Sequence, residues 1–196
     1  MLRSTVTSLF TLLITAALLA SCEKCGNVTI TKPTAEDSAW LVYKKDAAIA
    51  FVTQAKDTIR YKREAIFAQN IPGDGFAVED ECIDALNVQV RTLLEDDADK
   101  QPALGTRVLS KPDSLIVELS VGDMGVWEID KNAPTYESLE VNKKTYYDVF
   151  EITPVITQTS RVEKILFNKE FGFLSIRYKS SNPLEPPLEL MLIPSE

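Results

Sequence analysis

The residues best suited to chemistry in this sequence are three cysteines, Cys22, Cys25 and Cys82. Two residues separate the first pair, a spacing that is typical of thiol redox motifs and metal sites. The sequence contains no histidine, the side chain that most often serves as general base and as transition-metal ligand. This composition argues against an enzyme and makes a Ser–His–Asp triad impossible, although carboxylate, lysine or tyrosine chemistry stays open.

Two acidic clusters are the next candidates for a site. The first contains Glu79, Asp80, Glu81 and Asp84, and the second contains Glu95, Asp96, Asp97 and Asp99. Calcium binds oxygen ligands of this kind, but neither cluster has the EF-hand spacing, which needs a glycine at the sixth position and a glutamate at the twelfth. A glycosidase-type carboxylate pair has to face across a cleft, which a sequence alone does not show. We therefore interpret both clusters as solvated turns and predict no catalytic, cofactor-binding or metal-binding residue.

The N-terminal segment, residues 1–21, has the pattern of a secretory signal peptide. Arg3 is its only charged residue, and Leu9–Ala20 is apolar apart from two threonines. This apolar run is too short to cross a bilayer comfortably. The pattern predicts a signal peptide that is absent from the mature chain.

The end of this segment, Leu19-Ala20-Ser21-Cys22, resembles the lipobox of bacterial lipoproteins. The resemblance implies transfer of a diacylglyceryl group to the Cys22 sulfur, cleavage before Cys22 and acylation of the new amino terminus. Several acyl chains on one residue anchor a protein durably, so the membrane would be a partner through Cys22. The plain alternative is an ordinary signal peptide followed by a chance cysteine.

The residues after Cys22 bear on where such a lipoprotein resides. Glu23 stands where an aspartate is the usual signal for retention in the inner membrane, which favours the outer membrane of a Gram-negative bacterium. Some lipoproteins of the Bacteroidota carry an acidic run after the cysteine that directs them to the cell surface, but Lys24 interrupts such a run here. We expect a position in the cell envelope that faces the periplasm.

Lipidation of Cys22 would change the interpretation of the other cysteines. It would consume the first thiol of the Cys22-x-x-Cys25 motif and remove the redox and metal interpretations. Cys25 and Cys82 would then be left as a possible disulfide, in a compartment that permits one. Sequence does not give the distance between them, so the pairing stays open.

The charge of the chain excludes some partners. The sequence has 21 basic and 29 acidic residues and a net charge of −8, and removal of Arg3 would make it more negative. An acidic chain argues against nucleic acid as a partner and against electrostatic adhesion to anionic lipids. Solubility is the simplest explanation of this charge.

Beyond a polar tether at 22–37, we predict a single β domain at 38–196. Apolar residues there recur with a period of two, and no segment has a helical stripe over three turns. The predicted strands are 40–43, 47–52, 57–63 with an extension at 65–68, 87–94, 104–110, 114–121, 126–129, 145–153, 162–167, 171–179 and 188–193. This pattern predicts an antiparallel β sandwich or open barrel, with little helix outside the signal peptide. The hairpin Val162–Tyr178, VEKILFNKEFGFLSIRY, also resembles one in uncharacterised lipoproteins of the Bacteroidota.

Two functions fit these observations. The first is a non-catalytic structural or accessory role in which a sheet face or edge docks an envelope protein. The second is a β-barrel that binds a lipid, glycan or peptide in its mouth. Trp40, Trp127, Tyr146 and Tyr147 are candidates to line such a pocket, although aromatic residues on strands more often belong to the core.

Overall fold

The computed structural model describes residues 25–155, 161–180 and 186–194. The predicted signal peptide, 1–21, and the predicted lipidation residue Cys22 lie outside the described residues. The fold is mainly β, and 55% of the described residues lie in strands and 2% in helix. The elements are β1 (Thr29–Thr31), α1 (Ala35–Ser38), β2 (Ala48–Val52), β3 (Thr58–Pro72), β4 (Ala85–Asp96), β5 (Leu104–Lys111), β6 (Ser114–Val121), β7 (Val126–Glu128), β8 (Tyr136–Val141), β9 (Lys144–Ile152), β10 (Val162–Asn168), β11 (Gly172–Tyr178) and β12 (Leu188–Leu192).

The strands form one curled antiparallel sheet, a half-barrel, in the order β7-β6-β5-β4-β3-β2-β12-β11-β10-β9-β8. β2 to β7 make one meander and β8 to β12 another, and the pairing of β2 with β12 joins them. The edge strands β7 and β8 are consecutive in the chain, so residues 129–135 run from one edge of the sheet to the other. The predicted fold class is confirmed, in its open-barrel form.

The core of the half-barrel lies mainly on one face of the sheet, although runs of consecutive residues are buried in β10 and β11. Residues that pair directly across antiparallel strands share a face. In β5 and β6, three such pairs have side chains at most 1% exposed: Leu104 with Val121, Thr106 with Leu119, and Val108 with Val117. Buried residues of β2, β3, β4 and β9–β12 belong to the same cluster. The period-two alternation in the sequence therefore predicts the buried face correctly.

The half-barrel has two ends, and each carries a different set of connections between strands. The N-terminal end carries segment 39–47 and the connections 73–84, 112–113, 142–143 and 169–171. The loop end carries the connections 53–57, 97–103 and 122–125.

Segment 39–47 fills the N-terminal end, and the prediction of a strand at 40–43 is wrong. The Trp40 ring lies 5.3 Å from that of Phe150 and 6.4 Å from that of Phe167, and Tyr43 stacks on Phe173 at 6.5 Å. The backbone N–H of Trp40 donates to the Asp37 carbonyl, so it is used in a local turn. Spaced aromatic residues in a buried loop give the same apolar signal as a strand, which explains the error.

The described part of the predicted tether is attached to the sheet. β1 pairs in parallel with the start of β4, with Thr29 opposite Ala85. α1 then begins with a capping box, in which the Thr34 hydroxyl accepts from the Asp37 N–H at 3.1 Å and the Asp37 carboxylate accepts from the Thr34 N–H at 2.9 Å. The same carboxylate accepts from the Ser110 hydroxyl on β5 at 3.1 Å. From Cys25 onward, this segment is part of the folded unit.

Two further strands differ from the prediction. The segments 57–63 and 65–68 are one long strand, β3, with a bulge between Arg63 and Ala65, and it ends at Pro72. Strand β8 was not predicted. It forms a hairpin with β9 through Asn142 and Lys143, whose φ angles are 48° and 67°. Asn-Lys is not the usual signature of such a turn, so the sequence gives a weak signal there.

Candidate functional site

The structure joins Cys25 and Cys82 in a disulfide, with Cα atoms 5.2 Å apart. Cys82 lies in connection 73–84, and the Thr29 N–H donates to the Asp84 carbonyl of the same connection at 2.8 Å. Only Glu23 and Lys24 stand between Cys22 and Cys25 in the sequence. The disulfide and the pairing of β1 with β4 therefore attach the chain to the N-terminal end of the half-barrel from the third residue after the predicted lipidation residue.

The same end exposes part of β3. β2 pairs with β3 only as far as Lys62, whereas β4 pairs with β3 to Pro72. Among the described residues, no strand pairs with the other side of β3 from Glu64 to Pro72, a segment that we call the free edge. Ile66 and Phe67 on this segment are 49% and 56% exposed.

The pairing with β4 determines which backbone groups of the free edge have no strand partner. The Gly73 N–H donates to the Ala85 carbonyl at 2.7 Å. Hydrogen-bonded pairs recur every second residue in an antiparallel ladder, so Phe67, Gln69 and Ile71 bond to β4. The intervening residues, Ile66, Ala68 and Asn70, direct their N–H and C=O groups away from β4. The bulge between Arg63 and Ala65 shifts this alternation by one residue, so that before the bulge the Arg63 N–H faces away from β4 and donates to the Ala47 carbonyl of the β2 side.

The free edge differs from the two terminal strands of the sheet. β7 has three residues, and β8 carries exposed Glu137 and Glu140, so these edges are short or charged. Short length and charge are the usual features that keep a strand edge from associating. By contrast, residues 65–73 contain no charge. The free edge therefore has the features of an association site.

The inner face of the half-barrel is filled by side chains at the N-terminal end. The Tyr43 hydroxyl is buried and accepts a hydrogen bond from the Phe173 N–H at 2.7 Å. Burial raises the pKa of Tyr43 far above its usual value, so the phenol stays neutral. Gly172 has φ of 79°, and a Cβ there would meet the Tyr43 ring and hydroxyl. The close approach of Tyr43 therefore requires a glycine at 172, and it leaves no room for a ligand beneath segment 39–47.

The loop end carries a cleft of about 260 Å³. Tyr178 lines it and is only 6% exposed, and within the described part of the chain its hydroxyl has no hydrogen-bond partner. Burial raises the pKa of this phenol far above its usual value. Arg161 and Lys179 also line the cleft, and the Arg161 guanidinium donates to the Lys179 carbonyl at 3.1 Å. This combination of a phenol donor and two cations suits a small anion.

In each acidic cluster, one carboxylate accepts hydrogen bonds from backbone N–H groups of its own loop. Asp96 is 5% exposed rather than solvated, and its carboxylate accepts from the N–H groups of Lys100 at 2.9 Å and Gln101 at 3.0 Å. In the first cluster, the Asp80 carboxylate accepts from the Ala77 N–H at 2.6 Å. Across residues 25–155, 161–180 and 186–194, no group of three or more Cys, Asp or Glu side chains is arranged to hold a metal ion.

The four aromatic residues considered for a pocket lie in different environments. Trp40 and Tyr146 are 4% and 1% exposed and belong to the core. Trp127 packs against that core from β7, and Tyr147 is 69% exposed on β9. Tyr178 and the free edge were not identified from sequence. The uncharged run 65–73 is the signal from which the free edge could have been found.

Comparison with protein-family models, with curated proteins and with solved structures finds no match to this chain. None of the helices that the structure describes has the length and apolar character needed to cross a bilayer.

Proposed function

We propose that this protein is a lipoprotein of a Gram-negative cell envelope, anchored by acyl chains on Cys22, with a non-catalytic accessory role in which the half-barrel docks a protein. The lipobox-like sequence Leu19-Ala20-Ser21-Cys22 supports the anchor, and the attachment of the chain from Cys25 onward bears on what such an anchor would hold. Cys25 is bonded to Cys82, and β1 pairs with β4. An acyl group on Cys22 would therefore hold the folded unit itself at the membrane, without a long flexible tether.

The docking role follows from the free edge of β3. Among the described residues, its outward backbone groups have no strand partner, and its apolar side chains are exposed. These are the features through which a sheet edge binds an extended segment of another chain by strand addition. Because side chains fill the inner face at the N-terminal end, we expect a protein partner to bind at an edge of the sheet rather than inside the half-barrel.

The anchor is tested by mass spectrometry and membrane fractionation after expression in a Gram-negative host. We expect the wild type to carry the acyl mass on Cys22 and to fractionate with the outer membrane, whereas Cys22→Ser should leave the membrane. Cys25→Ser is the matched control, because it removes a nearby cysteine and should stay anchored. A wild-type protein without an acyl group at residue 22 would contradict the proposal.

The periplasm-facing orientation is tested separately by treating intact cells with a protease. We expect the protein to be degraded only after the outer membrane is permeabilised. Degradation in intact cells would instead place it on the cell surface.

A second candidate function, binding of a small anionic ligand, is favoured by the cleft of the loop end, which is lined by Tyr178, whose buried hydroxyl has no hydrogen-bond partner among the described residues. A ligand carboxylate or phosphate would accept a hydrogen bond from this hydroxyl and face Arg161 and Lys179. Titration with inorganic phosphate, followed by NMR, tests this function. We expect shifts at the loop end that weaken in Tyr178→Phe. Shifts that are unchanged in this variant, or no shifts at all, would remove the candidate.

A further inference from the structure

We propose that the free edge of β3 pairs with the same edge of a second copy of this chain, in an antiparallel ladder with two-fold symmetry. This names the partner for the docking role proposed above and rests on that role, but not on acylation of Cys22. The starting observation is a row of outward-directed backbone groups at Ile66, Ala68 and Asn70, on a segment without charge. Such a row is a template for another strand.

The positions of these groups select one register. With Ala68 on the two-fold axis, Ile66 of one copy faces Asn70 of the second copy, and the two Ala68 residues face each other. Every outward N–H and C=O group is then paired, which gives about six hydrogen bonds. Pro72 has no N–H and ends the ladder on one side. On the other side, β2 already occupies the position next to Lys62.

The same register covers the apolar side chains of the edge. Phe67 of each copy lies beside Gln69 of the second copy on one face of the combined sheet. Ile66 lies beside Asn70 of the second copy on the other face. Since Ile66 and Phe67 are about half exposed in the single chain, the ladder would remove apolar surface from water on both faces.

The charges at the two ends of the free edge favour a second copy and an antiparallel direction. The end near β2 has a basic excess, with Lys44, Lys45 and Lys62 against Asp46 and Glu64. The other end, connection 73–84, is acidic, with Asp74, Glu79, Asp80, Glu81 and Asp84, of which Asp74 is paired with Lys111 at 2.8 Å. Antiparallel pairing places the basic end of each copy beside the acidic end of the other, whereas parallel pairing would bring like charges together.

A cysteine on the symmetry axis tests the register. In a hydrogen-bonded antiparallel pair the Cα atoms are about 5.5 Å apart, within the range that a disulfide spans. We expect Ala68→Cys, in the full chain processed by its host and solubilised in mild detergent, to form a covalent dimer under mild oxidation. Ala48→Cys is the matched control, because Ala48 is also an exposed alanine on a strand but lies off the ladder. The wild type controls for the native cysteines.

A proline at the same position tests the ladder without a new thiol. The Ala68 N–H faces away from β4, so Ala68→Pro removes no hydrogen bond within the chain but blocks the centre of the intermolecular ladder. By light scattering we expect the wild type to have twice the mass of the processed chain and Ala68→Pro to have the mass of one chain. If this variant does not fold, the cysteine experiment alone decides.

Three results would overturn the proposal. They are a monomeric wild type, an Ala68→Cys variant that cross-links no better than Ala48→Cys, and cross-linking of Ala68→Cys to a different protein. The last result would give the free edge another occupant and would leave the proposed docking role intact. A failed acylation test would remove the anchor while leaving the dimer result unaffected, so the two failures are distinguishable.

Discussion

The two halves of β3 belong to one strand but serve different purposes. In the half from Thr58 to Lys62, β2 pairs with the strand throughout and β4 pairs with it from Tyr61 onward, and Tyr61, which has a strand on both sides, is fully buried. From Glu64 to Pro72 it has one neighbour, and Phe67 in this half is 56% exposed. In β3, therefore, the tyrosine with a strand on both sides is buried, whereas the apolar Ile66 and Phe67 of the free edge stay about half exposed.

The charged residues of β3 lie in or next to the half that is flanked by strands, whereas the exposed half of a strand would normally carry them. The flanked half and its end carry Arg60, Lys62 and Arg63, whereas residues 65–73 have no charge although they are the less protected part. Exposed edges normally carry charge, which suppresses association. The difference indicates that the free edge is suited to a partner, while the flanked half holds the fold together.

The largest difference between the two halves is expected when the aromatic residue of each half is replaced by alanine. Tyr61 packs edge-on against Phe51 at 5.6 Å and donates to the Pro102 carbonyl at 3.0 Å, so Tyr61→Ala should lower the free energy of unfolding by about 3–5 kcal/mol. Phe67→Ala should change it by less than about 0.5 kcal/mol. Urea denaturation in an Ala68→Pro background, where dimers do not contribute, measures both. Equal losses would erase the distinction between the two halves.

The disulfide is the next largest effect, because it ties connection 73–84 to the N-terminal segment where the core does not reach. It closes a separation of 57 residues, and its loss should cost up to about 4 kcal/mol. We expect Cys25→Ser/Cys82→Ser to have a lower urea midpoint than the wild type, and the oxidised wild type to fall to that midpoint on reduction. Hydrogen exchange should increase most in the part of the β3–β4 hairpin near Pro72. If oxidised and reduced wild type unfold at the same midpoint, this role of the disulfide is wrong.

A pair of prolines tests the hydrogen bonding of the free edge directly. The Gln69 N–H faces β4, so Gln69→Pro removes a ladder bond and should cost about 2–3 kcal/mol. Ala68→Pro should cost less than about 1 kcal/mol in the monomer, because its N–H faces outward. Urea denaturation at low protein concentration compares the two. The reverse order would mean that the assignment of the outward groups is wrong.

Local pattern was enough to predict much of the sheet. The alternation of Val117, Leu119 and Val121 marks a buried face whatever the neighbouring strand, so the mainly β class and these core positions follow from sequence. Trp40 and Tyr43 could not be placed in this way, because their burial depends on a loop crossing the inner face to reach β10 and β11.

The candidate sites were less predictable, since each depends on contacts distant in sequence. The closeness of Cys25 to Cys82 depends on β1 pairing with β4, and the exposure of Phe67 depends on where β2 leaves β3. The Tyr178 cleft is formed by connections from several parts of the chain, and no local motif marks it. The sequence did name Cys25 and Cys82 as a possible disulfide, and the uncharged run 65–73 is a local signal for the free edge.

The smallest predicted effect is at the opposite, charged side of the sheet, where β8 and β9 meet β10. Glu151 accepts hydrogen bonds from Tyr136 at 2.7 Å, Lys164 at 2.9 Å and Thr153 at 3.1 Å. Burial by itself raises the pKa of the Glu151 carboxyl, but these three partners together outweigh it and bring that pKa below its usual value. A carboxyl with a lowered pKa stabilises the fold above its unfolded-state pKa, and this contribution is lost as the pH falls through the folded-state pKa.

Glu151→Gln should therefore lower the free energy of unfolding by less than about 1 kcal/mol at pH 7, because the network is partly exposed to solvent. The difference from wild type should shrink as the pH is lowered from neutral through the lowered folded-state pKa of Glu151, where the wild-type carboxyl also becomes neutral. Glu137→Gln, a change of the same charge at an exposed residue of β8, is the control. Urea denaturation across this pH range measures both variants. A difference for Glu151→Gln that does not shrink as the pH falls would mean that packing, rather than charge, holds this side of the sheet, and the contrast with the uncharged run 65–73 would lose its electrostatic basis.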